Sequence, residues 1–102
     1  MTGTEQVKLM PDYGAAWPLW GGGGMCDAEE LGLSPALAAR LRAWQDLFDE
    51  HFSYDGGWDG PSAQERFATL ARQLVRDLEA ELPGTTVVLD DWTGSVSRPR
   101  RR

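Results

Sequence analysis

The sequence predicts a small α+β domain of order β–α–α–β, a helical hairpin packed on a short two-stranded sheet. Three observations predict it: two long stretches with apolar residues at helical spacing, a glycine-rich break between them, and a strand-like run at either end. A chain of 102 residues fits one domain, because at this size roughly two-thirds of the unfolded surface is buried around a single core. We expect that domain over residues 1–94, with a basic, flexible tail over 95–102.

The first strand is expected at Gln6–Met10, where Val7 and Leu9 alternate with Lys8 before Pro11 ends the run. The segment 12–33 has no sustained period and reads as a long Trp/Gly-rich loop. Ser34-Pro35 then signals a helix start, the serine capping free N–H groups and the proline filling the first position, where it needs no donor. Leu37, Leu41, Trp44, Phe48 and Phe52 carry that helix to about residue 52. SYDGGWDGP breaks it, and Ser62 to Glu65 form an expected capping box for a second helix. Its stripe of Phe67, Leu70, Ala71, Leu74, Val75, Leu78 and Leu82 stops at Pro83-Gly84. Thr85–Leu89 is β-branched and reads as the last strand, followed by Asp90, Asp91 and Trp92.

The net charge of −6 conceals two opposed pieces. Four of the ten basic residues stand at 98–102, leaving six against sixteen acids, or −10, over residues 1–97. Four arginines support only weak, salt-sensitive contacts with nucleic acid. The start lacks a signal-peptide pattern and no apolar run is long enough to span a bilayer, so we expect a cytoplasmic protein with no membrane association. A single cysteine, Cys26, allows no internal disulfide, and its neighbours Asp27, Glu29 and Glu30 should raise its pKa.

The DYG turn at Asp12–Gly14, the WPLW segment at Trp17–Trp20, the helix from Leu37 to Phe52 (LAARLRAWQDLFDEHF) and the GWD turn at Gly57–Asp59 together resemble a family of small uncharacterised actinobacterial proteins. That resemblance implies a cytoplasmic bacterial domain and transfers no activity, cofactor or site residue.

Chemical motifs are scarce. Asp55 to Asp59 invites comparison with a calcium loop, but the third position is Gly57 and the twelfth, which must be a bidentate glutamate, is Arg66. His51 has no second histidine to form a metal site, and no G-x-S-x-G, H-E-x-x-H or C-x-x-C occurs. We therefore expect no catalytic residue, no metal and no cofactor. The oddity is electrostatic. Asp46, Asp49 and Glu50 close the first helix, while Asp77, Glu79 and Glu81 close the second. Carboxylates at a helix C-terminus oppose its dipole at a cost of about 0.3–1 kcal/mol each. One account rests the first set against the start of the second helix; it leaves the second set unexplained.

These features lead to a protein-interaction module whose acidic and aromatic surface engages a basic protein partner. An immunity- or antitoxin-like inhibitor has this size and charge, by analogy alone. If the two strands run antiparallel, Asp90, Asp91 and Trp92 arrive beside the interhelix loop and join Asp49, Glu50, Asp55, Trp58 and Asp59 in one patch; parallel strands would divide it. The alternative is a small-molecule pocket or minor enzyme under the loop of Asp12, Tyr13, Trp17 and Trp20, whose rings either lie against the body as a lid or face solvent. Open sheet edges also leave room for a homodimer.

Overall fold

A computed structural model of the chain describes residues 5–12, 17–21, 24–53 and 55–90. Tyr13, Asp91, Trp92 and the tail over 95–102 lie outside these residues. Nine elements follow in order: β1 (Glu5–Leu9), β2 (Leu19–Gly21), β3 (Gly24–Met25), α1 (Ala28–Leu31), α2 (Pro35–His51), β4 (Phe52–Ser53), β5 (Gly57–Trp58), α3 (Pro61–Glu81) and β6 (Thr85–Leu89).

α2 starts as its sequence requires. Ser34 Oγ accepts from the Leu37 N–H at 3.2 Å, and Pro35 takes the first position. The start of α3 departs from expectation. Pro61 opens the helix two residues early, behind a Gly60 cap that offers no side chain, so Ser62 lies within the first turn and the expected capping box does not form. A proline with preset φ is a sufficient initiator there. The two helices meet through Leu37, Leu41, Trp44 and Phe48 from α2 and Phe67, Ala71, Leu74 and Leu78 from α3, all buried. Trp44 stacks on Phe67 with centroids 4.4 Å apart, and its indole N–H donates to the Phe67 carbonyl at 3.0 Å. Burying each such large side chain contributes about 1.5–3 kcal/mol.

The two predicted strands are β1 and β6, side by side in a sheet of order β3-β2-β1-β6. They run parallel, in register from Glu5 with Thr85 to Leu9 with Leu89, which overturns the antiparallel arrangement on which the eight-residue patch depended. The cause is the segment after β1, which returns to the end where β1 began before α2 starts. Ser34, at the head of α2, bonds Glu81 at the foot of α3, and Thr85 follows three residues after Leu82, to whose carbonyl its N–H bonds at 3.0 Å.

That segment is also more ordered than a loop. β2 pairs antiparallel with β1, placing Trp20 opposite Lys8, and β3 pairs with β2 across the glycine run. A Cβ at Gly21 would come within 2.7 Å of the Cys26 sulfur, so a side chain there would force Cys26 to move. The short α1 carries a full capping box, Asp27 and Glu30 each accepting from the other's backbone N–H. One face of the sheet, with Val7, Leu9 and Leu19, meets the core; the other shows Gln6, Lys8 and Trp20. Among the described residues no helix is long and apolar enough to cross a membrane.

Candidate functional site

The interhelix break forms a miniature hairpin. Phe52 pairs with Trp58 and Ser53 with Gly57, and Gly57 takes a positive φ of 74° that a side chain would resist. Ser53 Oγ accepts from the Gly56 N–H at 3.0 Å and donates to Asp55 at 3.3 Å, tying down the tip. Aromatic packing fixes the hairpin to the helices: Phe52 stacks on Phe48 at 5.1 Å, and Trp58 meets Phe52 at 5.2 Å and Phe67 at 4.8 Å. These rings hold the carboxylates around them in defined places.

A recess of about 400 Å³ opens here, lined by Asp49, Glu50, His51, Phe52, Trp58 and Asp59 among others. His51 is its organiser. Its Nδ1 lies 2.9 Å from an Asp59 carboxylate oxygen, its Nε2 lies 3.9 Å from Glu50, and its carbonyl accepts from the Asp59 N–H at 2.8 Å. Asp49 accepts from Gln45 Nε2 at 3.1 Å. Burial is the main cause that raises its pKa, aided by Asp46 and Glu50 and opposed by the Gln45 hydrogen bond. Trp58, which lines the recess, has its Nε1 buried with no hydrogen-bond partner among the described residues.

The expected patch is therefore partly assembled. Asp49, Glu50, Trp58 and Asp59 line one recess, with Asp55 at the adjoining hairpin tip. Asp90 does not join them. It continues the sheet, its N–H donating to the Leu9 carbonyl at 2.9 Å and its carboxylate 3.6 Å from Lys8 Nζ. Asp91 and Trp92 are outside the described residues. Two of the three acids at the end of α3 are structural. Both Glu81 oxygens accept from Ser34, from its N–H and its hydroxyl, at 2.7 Å each, and Asp77 pairs with Arg40 at 2.5 Å. The antiparallel hairpin thus sets the end of α3 against the start of α2, which accounts for Asp77 and Glu81 but not for Glu79. Among the described residues the acids ending α2 make one contact of this kind, Glu50 with the His51 ring at 3.9 Å.

The loop tryptophans divide. Trp17 belongs to the core, its indole N–H donating to the Cys26 carbonyl and its outer face covered by the Arg42 guanidinium at 5.2 Å. Trp20 is half-buried on the opposite sheet face and donates to the Met10 carbonyl at 3.0 Å. The Asp12 carbonyl accepts from Gln45 Nε2 at 2.9 Å, the same nitrogen that holds Asp49. Cys26 is shifted in the expected direction, its thiol pKa raised by burial first and then by Glu30 and Asp27. No group of three or more His, Cys, Asp or Glu that could hold a metal ion occurs among the described residues.

Two residues escaped sequence reasoning as members of the site. Gln45 is a buried polar residue beside the apolar stripe of α2, and nothing in its spacing announces two bonds. His51 entered sequence reasoning as a lone histidine; its tie to Asp59 needed the hairpin, whose signal was a Gly-Gly pair between aromatic residues. No curated protein matches the chain. A family model described as Serratia CdiI immunity protein-like matches residues 5–89, which include the recess and every described strand and helix. The chain belongs to the Serratia CdiI immunity protein-like family.

Proposed function

We propose that this protein is an immunity protein that binds a partner toxin through the acidic recess at the end of α2, in the cytoplasm of an actinobacterial cell. The family carries the first half of the reading, because its immunity proteins bind a partner toxin. The second half rests on one contrast. Asp77 and Glu81 at the end of α3 are occupied in holding the helices together. Asp49, Glu50, Asp55 and Asp59 instead surround an aromatic hairpin with a single imidazole among them.

Four carboxylates around Phe52 and Trp58 suit arginine or lysine anchors, whose charged heads pair with the acids while their stems lie on the rings. A basic toxin surface would be steered toward this end before docking. No covalent chemistry is required of the chain, since inhibition by occlusion needs affinity alone. Titration of the full chain against its cognate toxin domain tests the site. The double variant Asp55→Asn, Asp59→Asn should bind about 3–30-fold more weakly, as two partly exposed charge pairs imply. The wild-type affinity should also fall as salt rises. Unchanged affinity in the variant, together with indifference to salt, would refute this site.

A further inference from the structure

We propose that β6 is a docking edge for a second copy of this chain, the two β6 strands pairing antiparallel about a twofold axis at Val87. Among the described residues β6 is the outermost strand of the sheet and bonds to β1 on one side only. On its other side the backbone N–H and C=O groups have no partner among the described residues. Such groups specify their ligand chemically, as an extended backbone.

Edge strands are ordinarily protected by shortness, charge, proline or a bulge. The opposite edge follows that rule, since β3 has two residues. β6 has none of these protections. It runs for five residues, Thr85, Thr86, Val87, Val88 and Leu89, without charge or proline, and its register with β1 is unbroken through all five pairs. Burial tells the same story. Val7 and Leu9 are 3% and 0% exposed, while Val87 and Leu89, directly beside them, stay partly exposed. Another strand alongside would cover that flank.

The composition of β6 suits a second copy as the occupant. A twofold axis at Val87 sets Thr85 against Leu89, Thr86 against Val88 and Val87 against itself, so no like charges meet. Beyond these pairs Asp90 would face Gly84, and Asp90 is already paired with Lys8. The contact is isologous and closes as a dimer. It uses none of the carboxylates of the acidic recess.

Sedimentation of the full chain from about 5 μM to 1 mM tests this, since so short an interface should be weak. We expect a monomer that becomes a dimer across that range. The variant Thr86→Lys, Val88→Lys places lysines opposite one another on the helix-free face and should weaken dimerisation at least tenfold while leaving the melting temperature within a few degrees. Thr86→Lys alone, at an exposed position, serves if the double variant fails to fold. Amides of Thr85–Leu89 that β1 does not engage should exchange more slowly as concentration rises. A monomer at about 1 mM, or a dimer untouched by the lysines, would overturn the proposal. So would β6 amides already protected in the monomer, which would place this chain's own residues 91–102 on the edge. Protection that appears only with the toxin domain would give the edge to the toxin and equally overturn it.

Discussion

Replacing Glu81 by alanine tests whether an acidic residue at the wrong end of its own helix is there for the sake of another. Its two oxygens accept from the Ser34 N–H and hydroxyl at 2.7 Å each, and the same hydroxyl accepts from the Leu37 N–H at 3.2 Å. The carboxylate thus anchors the cap of α2 and sets its charge against the positive end of that helix. The site is exposed, so the stranded donors turn to water and no desolvation penalty is added. Loss of two charge-assisted bonds and of the dipole interaction then costs about 1–2 kcal/mol. For a domain of this size that lowers the melting temperature by about 5–10 °C. Glu79→Ala is the control: Glu79 is exposed and makes no hydrogen bond or ion pair among the described residues, so its loss should cost under about 0.5 kcal/mol. Thermal unfolding by circular dichroism at neutral pH and moderate salt measures both. Equal shifts in the two variants, or none in Glu81→Ala, would refute the reasoning.

Asp49→Asn should be neutral or slightly stabilising at pH 7, because the folded-state pKa of Asp49 is raised and its charged form is the disfavoured one. The sign follows: the raised pKa adds stability as pH falls through the folded value toward the unfolded value near about 3.9, so the variant's advantage should shrink on acidification. Asp49 is exposed as a residue and solvent screening keeps the effect small; melting curves at pH 7 and pH 4 that show a growing advantage in acid would contradict it. Leu74→Asp should abolish cooperative unfolding, since Leu74 is wholly buried and an unpaired buried charge costs several kcal/mol. Trp20→Ala, on the half-buried outer face, should only lower the melting temperature, and equal effects would mean that the core is misplaced.

Much of this fold was legible because its signals are local. Ser34-Pro35 marks the start of α2 through side-chain chemistry within one turn, and TTVVL marks β6 to the residue. The failures have physical causes. Pro61 announces a helix start at itself and Ser62 one at Ala63, two residues on, and the proline prevailed, its φ being preset at the first helical position. β2 and β3, with three and two residues, are too short to show a period; pairing with β1 makes them strands. The Asp27–Glu30 capping box lay inside the segment read as a loop, and it supports only one turn of helix. Strand direction is a property of the whole path between β1 and α2, which no window of residues encodes. At the site, the acids and Trp58 were legible from composition and position. Their division from Asp90 was not, because it follows from that same path.

The parallel pairing of β1 with β6 also sets the order in which this molecule can be made. Each of its five pairs joins positions eighty apart, Glu5 with Thr85 through Leu9 with Leu89. Closing a loop of that length costs conformational entropy that nearby contacts do not. The α2–α3 hairpin can assemble from neighbouring residues, whereas β1 must wait for a strand at the far end of the chain. A growing polypeptide therefore holds Val7 and Leu9 without their β6 partners until residue 89 has emerged from the ribosome.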